Sequence, residues 1–160
     1  MKNVTQDQII EAARQWVGTP YVHQARGPKG PEGGTDCVGL LIAVATELGI
    51  IEQGYDPTGY SWITDGTQLR VELSRWAECV AFSDTAQDYA FWAEVIQPGD
   101  IAVFNVMRHP QHTAFVSKID YGNGGTFIGM IHAYDPAKKV VEHIFDERWF
   151  SRLTSVWRLR

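Results

Sequence analysis

Gly33-Gly34-Thr35-Asp36-Cys37-Val38-Gly39-Leu40-Leu41-Ile42-Ala43-Val44-Ala45-Thr46-Glu47-Leu48-Gly49 is the stretch on which the fold turns. Val38, Leu41, Val44, Ala45 and Leu48 recur at helical spacing, so the segment predicts a buried helix. Thr35 or Asp36 is a suitable N-cap, and Gly49 closes the run. Cys37 therefore falls in the first turn of that helix. It follows a loop broken by Gly27-Pro28-Lys29-Gly30-Pro31 and Gly33-Gly34. A free thiol titrates near pH ~8.5, and a helix N-terminus lowers that value because its open N–H groups favour the thiolate. Lone cysteines also serve as small buried hydrophobes. Position alone leaves both roles open.

Working outward, Thr5-Gln6-Asp7-Gln8 matches a capping box, and Ile9, Ala13, Trp16 and Val17 continue it as an amphipathic helix up to Gly18. Thr67 to about Val80 predicts a third helix with Leu69, Leu73, Trp76, Ala77 and Val80 on one face. Residues 82–96 are ambiguous between helix and strand. Beyond them the pattern changes to strands: Ile101 to Phe104, His112 to Ile119, Phe127 to Tyr134, Lys139 to Phe145 and Ser155 to Leu159. Gly122-Asn123-Gly124-Gly125 joins two of these as a hairpin. Helices first and antiparallel strands second define an α+β fold, with one sheet packed against the Cys37 helix.

The chain has 160 residues, 44% of them hydrophobic and 21% charged, which predicts a single domain over 1–160 with a real core. The net charge of −5 gives no reason to propose a nucleic-acid partner. The longest stretch free of strongly polar residues, Val38 to Ala45, is far below the roughly 20 residues of a membrane span, so no membrane insertion is expected. The N-terminus shows no apolar signal core, and two cysteines make no disulfide framework, which suggests synthesis in a reducing compartment. Charge is uneven: residues 46–94 carry a net −7 and the remainder +2, and Arg148 to Arg160 holds four arginines without an acid. Solvated surface and a docking face both fit that pattern.

A cysteine nucleophile needs a base, and the base needs an orienting group. Five histidines are available. His112 and His132 lie on consecutive predicted strands, where a hairpin makes them neighbours on one face. His109 and His112 form an H-x-x-H spacing, but Pro110 interrupts any helix there and no further ligand set is evident. Neither a metal nor a cofactor is expected.

These segments resemble the NlpC family of papain-like cell-wall cysteine peptidases. Gly18-Thr19-Pro20-Tyr21, Asp36-Cys37-Val38-Gly39-Leu40, Pro98-Gly99-Asp100, the His112 strand and Ile131-His132-Ala133 match the family's landmarks in order. One branch, the phage tail and gene-transfer-agent cell-wall peptidases, is similar over nearly the whole chain. Its likeness extends to Val22-His23-Gln24, Tyr134, Val140-Val141-Glu142-His143, Trp149 and Trp157-Arg158-Leu159. The resemblance implies an NlpC-type fold with Cys37 as nucleophile, His112 as general base and His132 as its orienter. Tyr21 would assist the oxyanion site or the substrate, and Asp36 would contact a substrate amino group. The implied reaction is hydrolysis of the γ-D-glutamyl–diaminopimelate bond of a peptidoglycan stem peptide through a thioester. Phage tail proteins are the implied partners. The implied localisation is host cytoplasm during synthesis, then the virion tail, acting on the periplasmic wall.

Departures from the pattern are also present. Val38 stands where the wider family has serine, and Ala114 where it has glycine. Residues 51–96 form an enlarged connection, and residues 20–35 a longer loop that could act as a lid. Two other readings stay open: a tail-hub subunit with weak or lost catalysis, and an amidase or acyltransferase on the same fold. Cys79 is expected as a buried thiol in the third helix. The tryptophans are expected in the core, with Trp62 the one candidate for stacking on a glycan.

Overall fold

The computed structural model describes residues 3–57, 66–106 and 109–160, with backbone alone at 109–111. Trp62 and the His109 side chain thus lie outside the described residues. Helix α1 spans Gln6–Arg14, and its capping box forms as the sequence dictates: Thr5 Oγ1 accepts from Gln8 N while the Gln8 side chain accepts from Thr5 N. Helix α2 spans Cys37–Glu47, with Asp36 as its cap.

Helix α3 ends early. It covers Thr67–Ser74, and strand β1 covers Ala77–Phe82, where the sequence pattern predicts continued helix. Ladder pairing with the C-terminal strand overrides the helical spacing, with Ala77 opposite Leu159 and Cys79 opposite Trp157. Cys79 is therefore exposed on a strand and not buried in a helix. The ambiguous region resolves into the end of β1, a loop and a short helix α4, Tyr89–Ala93, capped by Asp88.

The remaining elements are β2 (Ile101–Val106), β3 (His109–Asp120), β4 (Thr126–Tyr134), β5 (Lys139–Ile144), α5 (Glu147–Phe150) and β6 (Leu153–Leu159). They form one six-stranded sheet in the order β1-β6-β2-β3-β4-β5. Every neighbouring pair is antiparallel.

Alternation along the strands gives the sheet two apolar faces. Ile101, Val103, Phe115, Ile131 and Ala133 pack under α1 and α2 with Ile9, Ala13, Trp16, Leu40, Leu41 and Val44. Ala102, Phe104, Ala114, Val116 and Met130 face the other way, against Trp92, Phe145, Trp149 and Phe150. Trp16, Trp76, Trp92, Trp149 and Trp157 are all buried, as expected. The Pro98-Gly99-Asp100 turn is fastened from inside. Asp100 is buried, and its two oxygens accept from Arg158 Nε at 2.8 Å and Arg158 Nη2 at 2.9 Å.

Candidate active site

Helix α2 delivers Cys37 to the sheet at its first turn. The Thr113 hydroxyl donates to the Cys37 carbonyl at 3.1 Å, which ties the helix start to β3 at the residue next to His112. The cap is tightly built. Asp36 Oδ1 accepts from Gly39 N at 2.7 Å, and Asp36 Oδ2 accepts from Gln24 N at 2.7 Å. His23 Nδ1 lies 3.7 Å from the same Oδ2. Asp36 is 2% exposed, so its carboxylate serves the helix end and the preceding loop from within. A Cβ at Gly39 would stand 2.1 Å from the Ala25 carbonyl oxygen, which explains the glycine two residues after the cysteine.

The loop before Cys37 is pinned by its own backbone. Val22 N donates to Thr35 O, Thr35 N to Pro20 O, Gly27 N to Gly34 O and Asp36 N to Ala25 O, at 2.7–3.3 Å. Gly30 N donates to the Thr19 hydroxyl at 2.8 Å. These bonds hold the segment as a wall beside the cysteine. Tyr21 enters that wall. It bridges to Thr35, and its N–H donates to Lys138 O at 2.9 Å.

His112 and His132 meet as the hairpin pattern predicts. In the β3–β4 register Phe115 faces Ile131, which makes His112 and His132 diagonal neighbours on one face. His112 Nε2 and His132 Nδ1 are 2.6 Å apart. Trp149 lies edge-on to His132 at 5.1 Å, and Tyr134 stacks on it at 4.9 Å. The Thr113 bond ties the Cys37 backbone to β3, whereas the His112 ring packs against Phe104 and Trp149 of the second cluster. Among the described residues no hydrogen bond joins the Cys37 and His112 side chains directly.

The electrostatics correct one expectation. The Cys37 thiol is pushed up to about 11, first by burial and then by the neighbouring Asp36 carboxylate. Burial outweighs the N-terminal field of α2, and Asp36 at the helix end adds its charge against the thiolate. Burial, and then the charge of His143, lower His112 to about 4; burial, His112 and His143 lower His132 to about 2. Burial thus favours a neutral thiol at Cys37 and neutral rings at His112 and His132.

Two residues escaped the reading of the sequence. Thr113 follows His112 on β3, and only the packing of α2 reveals its bond. His143 lies two residues beyond Val141, which faces His132 across β4–β5. The period-two alternation of β5 was the available signal. Among the described residues no group of three or more histidine, cysteine or acidic side chains is arranged to hold a metal. No helix among them is long and apolar enough to cross a membrane.

No family model matches the sequence, and no curated protein matches it. Solved structures do. An NlpC/P60 family protein from Bacillus cereus aligns with a TM-score of 0.60 at 18% identity, over 99% of this chain and 41% of that one. The peptidoglycan hydrolase RipB from Mycobacterium tuberculosis aligns with a TM-score of 0.55 at 18% identity, over 97% of this chain and 65% of that one. An N-acetylmuramoyl-L-alanine amidase from Bacteroides uniformis aligns with a TM-score of 0.59 at 14% identity, over 97% and 98% of the two chains. This chain thus spans about two fifths of the Bacillus cereus protein. The architecture is the NlpC/P60 fold, an α+β papain-like arrangement of helices on an antiparallel sheet.

Proposed function

We propose that this chain is a cysteine hydrolase of peptidoglycan stem peptides. The observation that carries the reading is the junction of Cys37, at the α2 N-terminus, with the β3 strand, whose His112 pairs with His132 of β4. The fold is that of proteins described as an NlpC/P60 family protein and a peptidoglycan hydrolase. The bond we assign is γ-D-glutamyl–diaminopimelate, and the setting we assign is a phage or prophage tail with tail proteins as partners. Both rest on the sequence likeness to that branch.

The roles follow from the chemistry. Cys37 Sγ attacks the carbonyl carbon while His112 takes the thiol proton, because a neutral thiol is a poor nucleophile. We assign the Cys37 N–H as the oxyanion donor. The amine leaves with the proton held by His112, and a thioester remains. Water, activated by the same imidazole, then releases the acid and restores the thiol. His132 orients His112, Tyr21 borders the reacting centre, and Asp36 holds the nucleophile's helix. Catalytic hydrogen bonds often tighten only in the substrate complex, so the thiol–imidazole contact is expected to close there.

Diaminopimelate-type peptidoglycan digested by the wild type and by Cys37→Ala tests this. Cysteine-dependent release of fragments ending in L-alanyl-D-glutamate, read by mass spectrometry, is expected. Full activity in Cys37→Ala would refute the nucleophile. Two other readings have an observation behind them. An amidase named for the muramoyl–L-alanine bond shares the fold over nearly the whole chain, and its activity would leave free L-alanine N-termini. The raised Cys37 thiol is compatible with a subunit whose catalysis is lost, such as a tail-hub component, which would release nothing.

A further inference from the structure

The hydrogen-bond chain does not stop at His132. His132 Nε2 lies 2.8 Å from His143 Nε2, and His143 Nδ1 lies 2.8 Å from the Ile144 carbonyl oxygen. A carbonyl oxygen only accepts, so His143 Nδ1 carries the proton at that end. A neutral imidazole has one donor and one acceptor nitrogen. With that single proton on His143, its Nε2 is the acceptor and His132 Nε2–H donates to it. His132 Nδ1 becomes an acceptor in turn, and His112 Nε2–H donates to it. A second proton on His143 would reverse the whole chain.

We propose that His143, anchored on the Ile144 carbonyl, sets the proton polarity of this chain and so leaves Nδ1 of His112 as the bare nitrogen that acts as base. The proposal rests on the reading of His112 as the general base. His143 is then a positioning residue acting through His132. The sequence likeness assigned it no role, and it lies 31 residues from His112.

The surroundings favour the arrangement. The chain lies against Trp149, whose ring centroid is 5.6, 5.1 and 6.1 Å from those of His112, His132 and His143. Burial disfavours protonation of His112 and His132, so each carries a single proton near neutral pH. The charged groups near His143 are Arg14 of α1, Lys118 and Asp120 of β3, Glu142 of β5 and Asp146 before α5; all line a shared open cleft of about 810 Å³. Arg14 and Glu142 pair with each other at 2.9 Å. A shared metal does not account for the cluster. Nitrogens bound tetrahedrally to one zinc at ~2.0–2.1 Å would stand about 3.3 Å apart, farther than the distances seen.

The test is long-range proton–nitrogen NMR of uniformly ¹⁵N-labelled protein near neutral pH, which reads each imidazole tautomer whether or not the protein is active. The expected pattern is Nε2–H on His112 and His132 with Nδ1–H on His143. Nδ1–H on His112 overturns the proposal. His143→Phe removes the acceptor for His132, and the two remaining tautomers are expected to become mixed. On peptidoglycan, kcat should then fall about tenfold to a hundredfold with KM unchanged. His143→Gln offers a carbonyl oxygen to His132 and an N–H to Ile144, and should recover most of both losses. Wild-type tautomers retained in His143→Phe would overturn the proposal. If that chain does not fold, the wild-type spectrum and His143→Gln decide. A wild type that cleaves nothing would refute the hydrolase reading, while the tautomer pattern would still decide this one.

Discussion

Acidification from pH 7 to pH 5 should destabilise this protein before its carboxylates titrate in bulk. Burial lowers His112 to about 4 and His132 to about 2, from an ordinary value of 6.5. Groups whose folded value is depressed stay neutral in the fold while the unfolded chain binds protons. The stability they contribute is therefore present above pH 6.5 and is lost as the pH falls toward the folded values. For a single histidine shifted in this way, the loss between pH 7 and pH 5 is about 2 kcal/mol. His132 is fully buried and should show this loss in full; His112 keeps a partly exposed edge and adds up to the same again. With a urea slope of about 2 kcal/mol per molar, the unfolding midpoint should move down by roughly 1–2 M. Tryptophan fluorescence reports the transition, since Trp149 lies against these rings. His132→Asn should flatten the dependence. A wild-type midpoint unchanged between pH 7 and pH 5 would refute the burial argument and the neutral histidine chain with it.

Four further outcomes follow from other parts of the molecule. In alkylation with iodoacetamide followed by peptide mass mapping, exposed Cys79 should react first, and Cys37 should need a pH approaching 11 for its full rate. Asp36→Asn removes the neighbouring negative charge and should shift the Cys37 midpoint downward. Gly39→Ala forces the Ala25 carbonyl away from the first turn of α2 and should cost about 1–3 kcal/mol in urea unfolding, with loss of hydrolysis, because the loop wall and the nucleophile move together. Asp100→Ala leaves Arg158 and Gln97 N without their buried acceptor and should cost about 2 kcal/mol with little direct effect on the thiol's pH profile.

The parts of the fold legible in the sequence are those fixed by local chemistry. Thr5 and Gln8 announce α1 because a capping box is satisfied within four residues. The Gly122–Gly125 turn announces the β3–β4 hairpin, and strand alternation then places His112 beside His132 without knowledge of the rest. The misreading of residues 75–80 has the opposite cause. Leu73, Trp76, Ala77 and Val80 satisfy a helical period, but the β6 strand that captures Ala77–Phe82 is some 75 residues away in sequence. Thr113 carries no local mark, and His143 carries only the period-two alternation of β5. Each becomes meaningful only when a distant element, α2 or β4, is set beside it. The thiol was misjudged for a related reason. The helix-end argument considered the N–H groups of α2 alone, whereas Asp36 occupies that end and adds its own charge.

That misjudgement bears on how the proposed reaction must run. Burial pushes the thiol up and His112 down, so moving the proton from sulfur to imidazole is uphill in the resting site. A preformed thiolate–imidazolium pair is therefore a minor species there. Proton transfer then belongs to the attack itself, where the developing oxyanion and the carbon–sulfur bond supply what the resting site lacks. A base in such a step must present its lone pair in the right tautomer at the moment of attack, because no standing ion pair holds the proton in place beforehand. The histidine chain proposed above, ending on the Ile144 carbonyl, would meet that requirement by fixing the His112 tautomer from its far end.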